Sequence, residues 1–231
     1  MSTISHSEKA YEHIRRRLFS GELTPGTRLV NRTLASEIGM SLIPVREAIS
    51  RLVSEGLVDH VTGAGAFVRR VDRQELSQLY DVRELFEPHA AAQAARLRTD
   101  HELDELGAIL VDWESHGKKI ISRKRGATAA DLDRWLDFNE RFHEVLITAS
   151  RNRFLVKITN DVHVLSQCFA AHRGSPALLS NPLVTTTLQT HRALLDSIKH
   201  GDANAAEAIT RKQLKFGRAS VLAFFDKQKK S

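Results

Sequence analysis

Several polar side chains fall on stripes of the sequence that are otherwise apolar at helical spacing, where they could bind a ligand or a metal ion. Asn139 and His143 are one turn apart on one such stripe, His191 interrupts a second and Gln213 a third. Imidazole nitrogens are common zinc ligands, and amides donate and accept hydrogen bonds. Because burying an unpartnered polar group costs roughly 1–3 kcal/mol, this convergence indicates a shared ligand or a shared hydrogen-bond network, although a single inward histidine is also common in ordinary cores.

Arg83 and Glu87 form a further inward-facing pair, one turn apart on an apolar stripe. A guanidinium on such a face can hold a carboxylate ligand through two parallel hydrogen bonds, so Arg83 is predicted to anchor an acidic ligand. The same i,i+4 spacing also suits an ion pair within the helix, and the sequence leaves both alternatives open.

A basic, capped segment near the N-terminus, MSLIPVREAISRLVSEGLV, could read DNA. Ser41 is predicted to cap a helix, and Pro44 falls in its first turn, where no backbone N–H is needed. Arg46 then lies in the exposed first turn, where its planar fork can reach guanine O6 and N7. Arg51, further along the exposed side, is predicted to meet a phosphate, and Arg32, at the start of the preceding helix, could reach the DNA backbone or a base edge.

These residues need a fold that presents the capped helix, and the surrounding sequence predicts one. Residues 8–20 show helical spacing, Pro25 and Gly26 suit a type II turn, and Asn31 is predicted to cap a short helix that ends at Gly39. Two β-segments, LVDHV and AFVRRV, follow the basic helix and are joined by TGAG. This order of helix, helix, turn, helix and hairpin is a winged helix-turn-helix, in which the second helix of the motif enters the major groove.

The glycines of the hairpin turn would allow the wing to approach the minor groove or the sugar–phosphate edge closely. The predicted DNA-contacting residues are therefore Arg32, Ser41, Leu42, Pro44, Arg46, Arg51, Gly63 and Gly65. The same topology can also serve as a small interaction module whose arginines are merely solvated, so topology alone does not establish DNA binding.

Beyond Asp72 the sequence predicts helices only. Their approximate ranges are 74–98, 101–123, 129–149, 153–172, 184–200 and 203–227. Antiparallel helices of this length form a bundle with room for a pocket. The predicted fold class is therefore mainly α, with an N-terminal winged helix-turn-helix domain over residues 1–72 and an all-α antiparallel helical bundle over residues 73–231.

The composition limits the functions that need to be considered. The 231 residues carry 34 Lys and Arg against 28 Asp and Glu, a net charge of +6 that permits a polyanionic partner without identifying one. The single cysteine excludes an intramolecular disulfide and suits a reducing cytoplasm. The sequence has no signal-peptide core and no apolar run of membrane length, so a cytoplasmic location without membrane attachment is predicted.

The first domain resembles the DNA-binding domain of the GntR family of bacterial transcription regulators. The segments that carry the resemblance are GELTPGTRL, LASEIGMSLIPVREAISRLVSEGLV and the GAGAFV wing, in order and nearly without gaps. The resemblance implies a winged helix-turn-helix that binds an operator. Where the family usually has Ser-Arg-Thr before Pro-Val-Arg-Glu, this chain has Ser41, Leu42 and Ile43. A base-reading arginine is thus missing at Leu42, and either the operator differs from the usual half-site or Arg46 and Arg32 carry more of the recognition.

Residues 74 to about 222 resemble the FCD effector domain of the FadR branch of that family, through LYDVRELFEPHAAAQAA, NERFHEVLITAS and THRALLDSIKHGDANAAEAI. The resemblance implies a divalent metal, frequently zinc, held by an aspartate and three histidines. The matching positions are Asn139, His143, His191 and Gln213, so the metal ligands predicted here are His143, His191 and Asn139. Because amides are poor zinc ligands, we expect weak metal binding unless an acidic effector adds a ligand, and otherwise a hydrogen-bonding floor for an organic effector.

The function predicted from these features is that of a ligand-responsive bacterial transcription regulator, not an enzyme. It is expected to bind a palindromic operator in double-stranded DNA as a homodimer, with a small carboxylate effector bound in the helical bundle. The predicted effector-contacting residues are Arg83, Asn139, His143, His191 and Gln213.

Two other functions are compatible with parts of the sequence. One is a metal-dependent enzyme that uses His143 and His191, and the other is a DNA-architectural protein without a ligand. The sequence shows no nucleophile with a paired base and no glycine-rich phosphate loop, which argues against the enzyme.

Overall fold

The computed structural model describes residues 5–70, 72–159, 162 and 176–228 of the chain. Within these residues the chain forms two compact units and passes from the first to the second between Asp72 and Arg73. None of the helices described is long and apolar enough to cross a membrane.

Over residues 5–70 the first unit is built from three helices and a small sheet. Its elements in chain order are α1 (His6–Phe19), β1 (Arg28–Leu29), α2 (Asn31–Ile38), α3 (Leu42–Ser54), β2 (Val58–Val61) and β3 (Gly65–Val68). The antiparallel sheet has the order β1-β3-β2, with Arg28 opposite Phe67 and His60 opposite Ala66. This is the predicted winged helix-turn-helix with one additional strand. The sequence does not reveal β1, because two residues are too few to show an alternating pattern.

The packing of α1 against α3 forms the core of the first unit. Ile14 and Leu18 of α1 and Val45 and Leu52 of α3 are completely shielded from solvent. The apolar positions of α3 recur every three or four residues, so one side of the helix is buried while Arg46 on the other is exposed. Burial therefore fixes the rotation of α3 about its own axis, and with it the residues that face outward.

The predicted turn before α2 and the predicted end of α2 are both confirmed. The Thr27 N–H donates to the Thr24 carbonyl oxygen at 2.9 Å and Gly26 has a φ of +86°, as a type II turn requires. Gly39 ends α2 in the left-handed conformation with a φ of +72°.

Two predicted helix caps differ in the structure. Asn31 is the first residue of α2 and Val30 takes the N-cap position, because the Val30 carbonyl oxygen accepts the first helical hydrogen bond, from the Leu34 N–H at 3.0 Å. Ser41 does occupy the N-cap of α3 with extended backbone, but its side chain makes no capping hydrogen bond. Neither α2 nor α3 therefore begins with a side-chain cap. Backbone N–H groups at a helix start that no side chain caps can donate to an anionic ligand.

The second unit is a helical bundle. Its described helices are α4 (Arg73–Leu97), α5 (Asp100–Ser122), α6 (Ala129–Thr148), α7 (described over 153–159), α8 (Asn181–Lys199) and α9 (Ala203–Gln228), with a short 3₁₀ turn at Pro176–Leu178. α4 and α9 run antiparallel, since Arg73 pairs with Asp226 at 2.8 Å near the outer ends of both. The predicted fold class is thus confirmed, while the predicted helix over 153–172 extends outside the described residues.

α8 begins at Asn181, earlier than the start predicted near residue 184. Pro182 suggests a loop in the sequence, but it lies in the first turn of the helix, where its missing N–H is tolerated. The Ser180 side chain caps this helix by accepting the Leu183 N–H at 3.4 Å.

α5 and α8 approach each other closely at Gly117. A Cβ atom on this residue would lie 2.6 Å from Cδ1 of Leu188 and 3.1 Å from Cγ1 of Val184. Leu188 can rotate away, but Val184 is fully buried and β-branched, so it has little freedom to move. We expect Gly117→Ala to lower the free energy of unfolding of the second unit by about 1–3 kcal/mol through overpacking, less the roughly 1 kcal/mol gained in helix propensity.

Gly107 in the same helix supplies the control, because nothing lies within 4 Å of a Cβ added there. Gly107→Ala should raise the free energy of unfolding by up to about 1 kcal/mol. Urea unfolding followed by tryptophan fluorescence reports on this unit alone, since the chain has 2 tryptophans, Trp113 and Trp135. Equal stabilisation by both substitutions would contradict the close packing of α5 and α8 at Gly117.

Candidate functional site

The first unit contains a cleft of about 510 Å³ between the start of α2, the outer face of α3 and the wing. Its walls include Arg28 from β1, Arg32 from α2, Leu42 and Arg46 from α3, and Gly65 from β3. The sheet positions Arg28 there, because β1 pairs with β3 and a Cβ on Gly65 would lie 3.5 Å from Nε of Arg28. The cleft thus gathers cationic side chains from separate elements of the fold.

The arginines of this cleft are exposed and not neutralised. The guanidinium groups of Arg28, Arg32 and Arg46 form no ion pair or hydrogen bond with any residue in the described part of the chain. Arg17 of the same unit, by contrast, is paired with both Glu22 and Glu37. Guanidinium groups that lack a counter-charge in a concave surface concentrate positive potential and attract a polyanion.

The remaining predicted DNA-contacting residues lie at different places around the cleft. Ser41 is exposed at the start of α3, and Gly63 lies in the turn between β2 and β3 with a φ of +77° and nothing within 4 Å of an added Cβ. Pro44, the third residue of α3, is buried on the inner face of the helix and does not face solvent. Arg28 and His60 line the cleft although no local pattern singles them out, because only the pairing of β1 and β2 with β3 brings them there.

Arg51 is engaged within the first unit. Its guanidinium lies 3.6 Å from the centroid of the Tyr11 ring, its Nη1 donates to Glu8 at 2.9 Å and its Nε donates to Glu55 at 3.1 Å. Burial of Tyr11, together with the adjacent Glu55 carboxylate, raises the pKa of Tyr11 to about 12. The predicted phosphate contact of Arg51 stays a prediction, and this network favours a different task for it, which is to hold α1 on α3.

The second unit buries three of the predicted ligand-binding side chains against one another. Nε2 of His191 lies 3.4 Å from Nε2 of His143 and 3.0 Å from the amide nitrogen of Gln213. Nδ1 of His191 lies 2.8 Å from the Thr187 carbonyl oxygen. Because a carbonyl oxygen can only accept, Nδ1 carries the proton, and the lone pair of Nε2 is directed toward Gln213 and His143.

Aromatic side chains enclose this cluster. His191 is 0% exposed and His143 is 3% exposed. The ring centroids of Trp113 and Phe142 lie 4.5 and 5.0 Å from that of His191. Burial, reinforced by the neighbouring His143, lowers the pKa of His191 to about 3, so the His191 imidazole is neutral at physiological pH.

Polar atoms on two residues of this cluster, Gln213 and Trp113, have no hydrogen-bond partner among the described residues. They are Oε1 of Gln213, an acceptor, and Nε1 of Trp113, a donor, and both are shielded from solvent. A buried polar group without a partner is destabilising by about 1–3 kcal/mol. The cluster therefore has hydrogen-bonding capacity that a bound ligand or an ordered water would satisfy.

The donors that a divalent metal would find here are two imidazoles and two amides. Asn139 is half-buried one turn before His143 on α6, and its side chain makes no hydrogen bond to a described residue. In the described part of the chain, no three His, Cys, Asp or Glu side chains are grouped so that they could hold a metal ion. Zinc prefers imidazole, thiolate and carboxylate ligands, and Gln213 already donates to the lone pair that a metal would need on His191. The donor set therefore does not fit a tightly held zinc ion.

Arg83 forms the intrahelical ion pair that was one of its two predicted alternatives. Its Nε donates to Oε1 of Glu87 at 2.6 Å and its Nη2 donates to Oε2 at 3.3 Å, with the side chains only 10% and 2% exposed. Burial disfavours the charged guanidinium, but the Glu87 carboxylate and Tyr80 outweigh it and raise the pKa of Arg83. A ligand carboxylate at Arg83 would have to share the guanidinium with Glu87.

Arg83 nevertheless lies at about the level of Gln213 along the bundle. A Cβ on Gly217 of α9 would lie 3.5 Å from the Tyr80 hydroxyl of α4. The two helices are antiparallel, so Arg83, three residues after Tyr80 on α4, lies level with a residue that precedes Gly217 on α9. Gln213, four residues before Gly217, is at about that level.

Two protein families match the chain, one for each unit. Residues 6–68 match the model of bacterial regulatory proteins of the gntR family, and residues 78–216 match the model of the FCD domain. Together the two matches include the cleft of the first unit and the polar cluster of the second.

Individual proteins are similar to the chain over much of its length. The HTH-type transcriptional regulator McbR of Escherichia coli K12 is 33% identical over 164 residues, which are 71% of this chain and 70% of McbR. The Nta operon transcriptional regulator of Aminobacter aminovorans is 29% identical over 138 residues, and the chain spans only 60% of that relative. Among solved structures, E. coli McbR/YncC matches with a TM-score of 0.79 and 21% identity, over 96% of this chain and 100% of that one, which establishes the fold alone.

Proposed function

Because the chain belongs to the GntR family of bacterial transcription regulators and carries an FCD domain, we propose that it binds operator DNA with its first unit and a small organic acid with its second. The matching families and relatives are transcription regulators and not enzymes, so the metal-dependent enzyme is set aside. Residues 1–72 then form the DNA-binding domain, and residues 73–231 the effector-binding and dimerisation domain. The observation that carries the DNA-binding proposal is the cleft lined by arginines that no described residue neutralises.

In this proposal α3 enters the major groove with its first turn against the base edges. Arg46 reaches guanine O6 and N7, while Arg28 and Arg32 neutralise phosphates beside the groove. The lack of a side chain at Gly65 leaves room for the sugar–phosphate backbone next to Arg28, which supports a wing contact.

A homodimer would supply the second half of the recognition. Two copies related by a two-fold axis read a palindromic operator whose half-sites are about 34–36 Å apart, because each recognition helix occupies one turn of the major groove. The small, polar first unit offers little apolar surface, so the dimer contacts are assigned to the helical bundle. The proposed location of the regulator is the cytoplasm.

The effector site is assigned to the cluster of His143, His191 and Gln213, with Asn139 and Arg83 at its edges. Oε1 of Gln213 and Nε1 of Trp113, which no described residue satisfies, support a small polar ligand there. An organic acid at this position would share the Arg83 guanidinium, which lies at the same level of the bundle, with Glu87. An effector with different affinities for the two DNA-binding states would change operator affinity by about 1–3 kcal/mol.

A divalent metal such as zinc would be held in this cluster by His143 and His191, with Asn139 as a neutral oxygen donor. Two imidazoles with neutral amides bind zinc weakly, so a carboxylate from the effector would have to complete the set. The cluster therefore serves first as a hydrogen-bonding floor for the effector, and a metal is secondary to it.

The DNA-binding proposal is tested with duplexes that the full chain selects from a randomised library. Fluorescence anisotropy on an enriched duplex should show binding that falls steeply with salt, because each neutralised phosphate releases counterions and contributes about −0.9 to the slope of log K against log [salt]. Failure of the selection to enrich any sequence would overturn the proposal.

The effector proposal is tested by thermal shift against a panel of small carboxylic acids, with and without zinc. A ligand at about 100 times its Kd stabilises the folded state by about 2.7 kcal/mol, which raises Tm by several degrees. The shift should disappear in Gln213→Leu and persist in Gln189→Leu, which removes an exposed amide from α8. If no acid in the panel produces a shift, the ligand-free DNA-architectural protein becomes the better description of the chain.

A further inference from the structure

Two aliphatic side chains stand at the beginning of the recognition helix α3. Ile43, its second residue, is 68% exposed, and Leu42, its first, lines the arginine cleft. The first turn of a helix favours hydroxyl and acidic side chains that complement its free N–H groups, and a β-branched side chain loses rotamer freedom in a helix. The exposed part of Ile43 therefore contributes little to the stability of the free chain, and its methyl groups face outward.

The surroundings of Ile43 indicate what kind of partner it meets. Residues three and four positions apart share a helix face, so Ile43 stands beside Arg46 and Glu47, and all three are exposed. The adjoining cleft presents the guanidinium groups of Arg28 and Arg32, which pair with no residue in the described part of the chain. An exposed apolar side chain beside cations that no described residue neutralises suits a target that is anionic overall and carries a methyl group. On the major-groove edges of DNA that group is the 5-methyl of thymine.

We propose that Ile43 reads the 5-methyl group of a thymine in the major groove, close to the base pair read by Arg46. This inference rests on the proposed DNA-binding function. Cβ atoms three residues apart in a helix are about 5–6 Å from each other and base pairs are about 3.4 Å apart, so the thymine lies within two base pairs of the guanine. The replacement of the usual Arg-Thr by Leu42-Ile43 thus changes the operator that is recognised, from hydrogen-bonded readout toward methyl readout.

Deoxyuridine lacks only the 5-methyl group of thymidine and so isolates this contact. In the half-site that the full chain enriches from a randomised library, each thymine is replaced in turn by uracil. One replacement within two base pairs of the guanine that depends on Arg46 should weaken binding about three- to tenfold, as expected for the loss of one buried methyl contact. In Ile43→Ala the same replacement should have no effect, whereas Ile43→Val should keep most of the sensitivity.

Leu85→Ala is the matched control, because it shortens an aliphatic side chain that is 71% exposed in the second unit. It should leave the sensitivity to uracil unchanged. An equal loss from uracil in the unmodified chain and in Ile43→Ala, or an enriched half-site without a thymine in that interval, would overturn the inference and leave the arginine contacts standing. Selection of no sequence at all would overturn the proposed function itself, and the inference with it.

Discussion

Arg46→Ala is expected to weaken binding to the selected operator by roughly 5- to 150-fold, equivalent to about 1–3 kcal/mol, and to relax the base preference at one position of each half-site. The reason is that Arg46 is exposed in the first turns of α3, lines the cleft and has no counter-charge among the described residues. Anisotropy titrations measure the affinity, and a repeated selection with the variant measures the base preference.

The control for this prediction removes the same charge from another exposed position of the first unit. Arg16 on α1 is exposed, its Nη2 lies 3.3 Å from Nδ1 of His13, and it is not among the residues that line the cleft. Arg16→Ala should cause a small, salt-dependent loss and leave the base preference unchanged. If the two variants lose the same affinity and keep the same preference, α3 does not dock in the major groove as proposed.

The double variant Asn139→Asp with Gln213→His is expected to bind zinc at least about a hundredfold more tightly than the unmodified chain. It replaces two neutral amides by a carboxylate and an imidazole, which are ligand types that zinc prefers. The amide nitrogen of Gln213 is 3.0 Å from Nε2 of His191, which is itself 3.4 Å from Nε2 of His143, so an imidazole at position 213 would bring a third nitrogen to the same point. Isothermal calorimetry gives the affinity, and elemental analysis of the purified protein gives the metal content.

Asn139→Asp with Gln189→His is the matched control. It adds the same two ligand types but puts the imidazole on the exposed face of α8. Its zinc affinity should fall below that of the first double variant, because Asn139→Asp adds a carboxylate beside His143 and His191 but the third imidazole is absent from the cluster. Unchanged affinity in the first double variant would mean that positions 139, 143, 191 and 213 do not share a site, and the proposed effector site would lose its support.

Local signals in the sequence determined most of the secondary structure of this protein. The period of the apolar residues identifies the helices. Gly39 predicts where α2 ends, and Pro44 predicts where α3 begins. The errors are local as well, such as Asn31 as the cap of α2 and Pro182 as a loop residue. In both cases the residue type is common at the helix start and also just before it. The backbone hydrogen bonds determine which of these positions the residue occupies.

The inward direction of the polar residues in the bundle also followed from periodicity, but their distances did not. A helical stripe shows that His143, His191 and Gln213 point toward a core, and only the packing of α6, α8 and α9 brings their nitrogens within 3.0–3.4 Å. The ion pair between Arg83 and Glu87 was one of the two alternatives that the sequence predicted, because Glu87 is one turn away on the same helix.

The tertiary structure decided how completely each arginine is neutralised. Arg51 is held by Glu55, one turn away, and also by Glu8, 43 residues earlier in the chain, while Arg46 has no partner among the described residues. Arg28 joins the cleft only because a two-residue strand pairs with the wing. The spacing of residues along one helix determines which way a side chain faces. Whether a side chain of opposite charge on another element reaches it depends on how the elements pack.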